Sequence, residues 1–181
     1  MSLAPALLLS MPQLLDPNFA RSVVLLCEHA AEGAFGLVVN RPSEITAAEA
    51  VSLTPPIASP NQLPLLIGGP VEPHRGWILT AIRPDAVEHR ELGAGLFLSA
   101  SPLLLRQTLM TNPPPKRTVV LAGYAGWGPG QLDDELAQSS WLIVPVELDL
   151  IFEIPPNVAW ETAIRRLGAD PHLLHQGQGV H

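Results

Sequence analysis

Apolar and polar positions along this chain change period several times, and each change marks an element. Val23-Val24-Leu25-Leu26-Cys27 is an unbroken apolar run with β-branched residues. Such a run predicts a strand buried on both faces. Phe35 to Asn40 predicts a second strand, and Glu32-Gly33 marks a turn between the two. Residues 23–40 therefore read as a hairpin with a longer loop. Arg41-Pro42 ends it, because the residue before proline is pushed out of the helical region and proline donates no hydrogen bond.

Downstream, Thr46 to Leu53 is rich in Ala and Glu and predicts a helix that stops before Pro55-Pro56. Residues 54–64 read as a proline-rich loop. Leu65-Leu66-Ile67 predicts a short strand running into the turn Gly68-Gly69-Pro70. Trp77–Ile82 and Leu96–Leu98 predict two more strands. Ser101-Pro102 predicts a helix start, with Ser as cap and Pro at the first helical position, where no donor is lost. Leu105 and Leu109, four apart, share its core face, and Asn112 followed by three prolines ends it. Arg117 to Tyr124 predicts a strong strand, followed by a Gly-rich loop from Gly123 to Gly130. Gln131 to Gln138 predicts a helix with Leu132 and Leu136 on one face. Trp141 to Val146 reads as a strand. Val158 to Leu167 predicts an amphipathic helix with Trp160, Ile164 and Leu167 on one stripe, Asn157 as cap and Gly168 just past its end. The order is not a strict alternation of strand and helix, so the class is α+β. No repeat or linker divides residues 1–181, which read as one domain with a core from about residue 7 to 174.

Composition narrows the function classes. Among 181 residues, 47% are hydrophobic and 15% charged, which excludes a charge-rich disordered chain. No apolar run reaches the roughly 20 residues of a membrane helix. The formal net charge is −7, and Lys116 is the sole lysine beside nine arginines. Nucleic-acid binding requires clustered cations that release counterions from several phosphates. The adjacent cation pairs here are Lys116-Arg117 and Arg165-Arg166, so direct DNA binding is disfavoured. Cys27 is the single cysteine, which excludes an intramolecular disulfide and fits a reducing cytosol. Met1 to Ser10 is apolar but lacks the basic start of a signal peptide.

Three stretches then stand out together. They are Val24-Leu25-Leu26-Cys27-Glu28-His29 with Gly36-Leu37-Val38-Val39-Asn40-Arg41-Pro42; Gly68-Gly69-Pro70-Val71 with Arg75-Gly76; and Gly123-Tyr124-Ala125-Gly126-Trp127-Gly128 with Gly130-Gln131-Leu132. In this order and spacing the chain resembles the YqgE/AlgH family of bacterial proteins, from about Leu7 to about Leu174. The resemblance implies a bifurcated, mostly antiparallel sheet closing into a pseudo-barrel with helices packed outside. It also implies a bacterial cytosolic protein. One branch of the family carries a transcriptional-regulator label linked to alginate production. The family offers no agreed catalytic residues, so no catalytic role transfers to any position here.

Several groups are candidates on their own chemistry. Cys27 and His29 lie two apart on a strand, hence on one face, and a thiol beside an imidazole begins a nucleophile–base pair. The competing account is a buried Cys packing as a small hydrophobe. The Gly123–Gly130 loop before a helix invites an anion, yet no GK[ST] follows, and Asp133, Asp134 and Glu135 already complement the helix start. Tyr124 and Trp127 in that loop read either as packed rings held by tight glycine turns or as part of a ligand or partner surface. Arg41 and Arg75 each sit at a turn. They read either as an anion clamp or as ion pairs with Glu28 and Glu72 that pin the loops. His172 and His175 near Asp170 lack a third ligand at fixed spacing, so no metal is expected. No Rossmann fingerprint, Gly-x-Ser-x-Gly elbow, HExxH or CxxC is present, and no cofactor is expected.

These observations favour a regulatory module that binds an unidentified protein or small molecule, its surface including Arg41, Arg75, Tyr124 and Trp127. The alternative is an enzyme of unknown, hydrolytic reaction using Cys27 with His29 or an Arg-lined pocket. The charge balance makes one prediction directly. The isolated protein should not retain a DNA probe at nanomolar concentration in physiological salt, and a sequence-selective gel shift under those conditions would overturn it.

Overall fold

The apolar run at residues 23–27 lies where its pattern requires, inside a sheet covered on both sides. A computed structural model describes residues 1–12, 14 and 16–170. β2 (Val23–Ala30) and β3 (Gly33–Val38) form the expected antiparallel hairpin. β1 (Ala6–Ser10) pairs with the free side of β2, and β10 (Trp141–Val144) pairs with β1. On the other flank β3 pairs with β9 (Thr118–Trp127), which pairs with β6 (Val71–Thr80). β8 (Leu96–Ser99) and β7 (Arg90–Gly93) complete the order β10-β1-β2-β3-β9-β6-β8-β7. β4 (Pro42–Thr46) and β5 (Pro64–Ile67) pair off this path, and β5 runs parallel to β9. The mostly antiparallel sheet curls into a half-barrel accompanied by five helices among the described residues.

Period-two alternation distributes the side chains. Leu7, Leu9, Val23 and Leu25 face a core that also takes residues from α4 (Leu148–Phe152) and α5 (Pro156–Arg166). Leu8, Val24 and Leu26 face the opposite way, under α3 (Gln131–Ala137) through Leu132. All seven strand residues are fully buried, and each such side chain contributes about 1.5–3 kcal/mol of transfer free energy. A third cluster joins α1 (Ala47–Ala50) and α2 (Pro102–Met110) over Val120 of β9. The Ser101 hydroxyl caps α2 by accepting from the Leu104 amide at 3.3 Å, as its Ser-Pro start requires. Buried Asn61 ties the proline-rich loop to the end of α2, donating to the carbonyls of Thr108 (2.7 Å) and Thr111 (2.9 Å).

The sheet forks at β9. One edge of β9 runs along β6, but the other changes partner along its length. Val120–Ala122 pair with Leu65–Ile67 of β5, while Ala125–Trp127 pair with Gly36–Ala34 of β3. Gly68 bridges the change, donating to the Ala122 carbonyl and accepting from the Val38 amide, both at 2.8 Å. Backbones touch here. A Cβ on Gly69 would lie 2.2 Å from the Tyr124 carbonyl, and one on Gly123 would lie 2.4 Å from the Gly69 oxygen.

The structure corrects several boundaries. Gly123 to Trp127 is strand and not loop, because β3 supplies pairing partners that no local pattern reveals. β6 begins at Val71, not Trp77, with a register shift between Val71 and Gly76. The helix expected over 46–53 is confined to α1. Thr46 caps it, accepting from the Glu49 amide, and Val51 and Leu53 instead pack on the third cluster. Pro42 opens β4 instead of ending all pairing, a first-strand position where a missing donor is tolerated. In α5, Pro155 takes the cap position and Pro156 opens the helix, so Asn157 is not the cap. Ala159 and Ala163 join Trp160 and Ile164 on its buried face, while Leu167 is half exposed. β1, β7 and α4 are too short for periodicity to reveal. Of Gly126, Gly128 and Gly130, only Gly130 takes a positive φ, and a Cβ on Gly126 would make ordinary contacts at 3.8 Å and beyond.

This places the glycine requirement at the fork. Gly69→Ala should destabilise by roughly 3 kcal/mol or more through strain and backbone collision. Gly126→Val should stay within about 0.5 kcal/mol, as on an open surface. Trp127→Ala, removing a buried ring, should cost roughly 3–5 kcal/mol. Urea denaturation of the three variants checks the order, and equal destabilisation by Gly69→Ala and Gly126→Val would contradict it.

Candidate functional site

A β-bulge decides which groups reach the concave side of the sheet. Between β2 and β3 the register runs Leu26↔Gly36 and then Glu28↔Phe35, which leaves Cys27 without a partner. An extra residue in one strand reverses the facing of all that follow. Cys27 still points with Val23 and Leu25 into the main core, and Glu28 emerges beside it at the wall of a cleft. His29 is turned to the other face. Its Nε2–H donates to Asp133 Oδ1 of α3 (3.1 Å), and its Nδ1 accepts from the Leu3 amide (3.1 Å). The shared face expected from two-residue spacing is therefore lost, and Cys27 and His29 do not converge. Burial pushes the Cys27 thiol from its ordinary value of 9.0 up to about 12, and its Sγ contacts only the Leu25 carbonyl at 3.5 Å among hydrogen-bond partners.

The cleft has a volume of about 620 Å³, within the range of small-molecule sites. Its floor is built from Phe35 of β3, Trp77 of β6 and Tyr124 of β9. Phe35 meets Trp77 at 5.3 Å and Tyr124 at 5.0 Å between ring centroids, and Trp77 meets Tyr124 at 6.3 Å. Arg75 lays its guanidinium 4.5 Å from the Trp77 ring centroid, a cation–π arrangement. Arg90 and Glu28 form an ion pair at 3.2 Å across the rim. The Tyr124 hydroxyl donates to Glu72 at 2.7 Å, and that bond holds the phenol above its ordinary pKa. Glu88 and His89 line the remaining side, where the His89 Nδ1–H donates to the Val87 carbonyl at 3.0 Å.

The sequence-derived candidates divide accordingly. Arg75 and Tyr124 stand together in the cleft, and Arg75 lies 3.9 Å from Glu72, the pairing expected for it. Arg41 lies elsewhere. It donates to the carbonyls of Pro17 (2.8 Å) and Ala20 (2.7 Å) and to Ser22 Oγ (3.1 Å), binding residues 17–22 to the start of β4, and Glu28 pairs with Arg90 instead. Trp127, three residues beyond Tyr124, falls on the opposite face of β9. There Glu135 Oε1 accepts from the indoles of both Trp127 (3.1 Å) and Trp141 (2.9 Å). His172 and His175 lie outside the described residues, within which no three His, Cys, Asp or Glu gather into a metal site.

Sequence reasoning missed Phe35, Trp77, Glu88, His89 and Arg90. Phe35 and Trp77 read as core residues of strands, and their exposure to a cleft follows from the curl of the sheet. Glu88 to Arg90 precede or open a four-residue strand with no periodic signature. The one available signal was a pair of aromatic residues beside glycine at strand positions, Phe35-Gly36 and Gly76-Trp77.

The burial of Cys27 makes a measurable statement. A native thiol held neutral to about pH 12 should resist iodoacetamide at pH 8 and react on unfolding. Because the folded value lies above the unfolded one, the stabilisation is complete below about pH 9 and is lost as pH rises toward 12. Cys27→Ala should cost about 1–2 kcal/mol at neutral pH and flatten that alkaline decline. Rapid native alkylation would contradict burial.

Comparison with known proteins completes the site's context. Residues 7–172 match the family described as DUF179, AlgH-like. A UPF0301 protein of Anaeromyxobacter dehalogenans (strain 2CP-C) is 44% identical over 98% of this chain and 94% of its own length. A UPF0301 protein of Myxococcus xanthus (strain DK1622) is 43% identical over 99% of this chain and 98% of its own. The solution structure of the AlgH protein from Pseudomonas aeruginosa superimposes with a TM-score of 0.77 at 37% identity, covering 93% of this chain and 90% of that one. A Corynebacterium diphtheriae protein of 23% identity shares the fold with a TM-score of 0.69. By sequence over nearly its whole length and by fold, this chain belongs to the AlgH-like, UPF0301 family.

Proposed function

We propose that the chain is a binding module whose recognition surface is the aromatic cleft, acting in the cytosol through a small ligand or a protein partner. The observation that carries this reading is the cleft itself. Three packed rings form its floor, and Arg75, Arg90, Glu28, Glu88 and His89 surround them. Concave apolar surface with a few placed polar groups is the usual form of a ligand site. The hydrolytic alternative needs either Cys27 near His29, which the bulge separates, or an Arg-lined pocket, and there Arg75 and Arg90 line the cleft while Arg41 lies elsewhere. Ser99, the cleft's serine, donates its hydroxyl to the Glu88 carbonyl at 2.6 Å and accepts from the Ser101 amide at 3.1 Å.

Any influence on transcription is then indirect. Five of the nine arginines lie within 3.2 Å of a carboxylate, so few cations are left for phosphates. Among the described residues, no helix is long and apolar enough to cross a membrane.

A fragment screen followed by amide chemical-shift mapping tests the reading. Hits should perturb residues 28, 35, 75–77, 88–90 and 124 together. Tyr124→Ala should weaken them at least about tenfold with little change in melting temperature. Hits that cluster elsewhere, or none in a library of several hundred fragments, would overturn it.

A further inference from the structure

Taking the cleft to be the recognition surface, we infer that its ligand is a zwitterion with an aromatic body, of the class of aromatic α-amino acids. The inference comes from sorting the charges around the floor into those already satisfied and those still free. Arg90 and Glu28 neutralise each other at 3.2 Å. Glu72 is engaged by the Tyr124 hydroxyl at 2.7 Å. Two charged groups of opposite sign, Arg75 and Glu88, keep unused hydrogen-bonding capacity. Among the described residues Arg75 makes no hydrogen bond, and its contact with Glu72 is a loose 3.9 Å. Its Cζ lies 4.5 Å from the Trp77 ring centroid, and its guanidinium N–H groups are left for a carboxylate, which such a fork can grip with two bonds. The Glu88 carboxylate has no hydrogen-bond or ion-pair partner among the described residues.

One further group extends the pattern. A carbonyl only accepts, so the contact from His89 to Val87 places a proton on Nδ1, and in the neutral tautomer Nε2 is then the acceptor. It suits an ammonium donor next to Glu88. The half-buried rings of Phe35 and Tyr124 present apolar surface for a flat body.

Single-charge ligands fit less well. An anion alone satisfies Arg75 but strips water from Glu88 without compensation, and a cation alone does the same to Arg75. A ligand carrying both charges meets both groups at once.

Three probes sharing one indole body separate these cases by isothermal titration against the full chain. L-tryptophan carries both charges, indole-3-propionate lacks the ammonium and tryptamine lacks the carboxylate. L-tryptophan should bind at least about tenfold tighter than either. Arg75→Gln should abolish its advantage over tryptamine, and Glu88→Gln its advantage over indole-3-propionate. Both positions are solvent-exposed, and an unchanged melting temperature confirms that the variants fold. Tightest binding by indole-3-propionate or by tryptamine would overturn the zwitterion while leaving the cleft as a binding site. The same holds if none of the three binds but fragments from the screen still map to the cleft. If neither probes nor fragments perturb the cleft residues, the binding reading itself fails.

Discussion

Backbone contact between Gly68-Gly69 and Gly123 is the constraint on which the rest of this structure hangs. β9 must release β5 and accept β3 along one edge, and the change happens within a few residues of Gly123. Two segments can pass that closely only if neither carries a Cβ, since the positions a Cβ would occupy fall 2.2–2.5 Å from opposing backbone atoms. Hydrogen bonds at Gly68 then weld three strands at one point, with Ala122 on one side and Val38 on the other. The fork lets one strand serve two sheet segments, and the curl it imposes makes one side concave.

The cleft is a consequence of that curl together with the bulge at Cys27. Without the bulge, Glu28 would face α3 and His29 the cleft. The extra residue exchanges them, bringing a carboxylate to Arg90 and sending an imidazole to Asp133. On β9 the two-residue period assigns Tyr124 to the cleft and Trp127 to the far side. There Trp127 shares the Glu135 carboxylate with Trp141 and helps fix α3 to the sheet. One strand thus supplies a recognition ring on one face and a structural ring on the other.

The hairpin at 23–40, the capped helix after Ser101 and the strand centred on Val120 were all legible from local pattern, because each is specified by contacts near in sequence. Arg75 and Tyr124 were legible as candidates because their types, an arginine and a tyrosine beside glycine-rich turns, rarely serve a core. Arg41 shared that signal and proved to be a staple, since what separates the two is the partner. Its guanidinium meets the carbonyls of Pro17 and Ala20, about twenty residues back in the chain. Glu88, His89 and Arg90 carried no signal, because an exposed polar triplet gains meaning only when a concave surface lies beside it.

What the sequence determined by itself was the class of the fold, the elements built from local periodicity, the family to which the motifs point and the unfavourable charge for nucleic acid. Hydrophobic period and turn chemistry are local, so they survive without a partner strand. The tertiary structure alone decided where β9 forks, which way Cys27, Glu28 and His29 face, and which of Arg41 and Arg75 stands in the cleft. Each of those depends on pairing between segments distant in the chain. A one-residue change of register there reverses the facing of every side chain that follows.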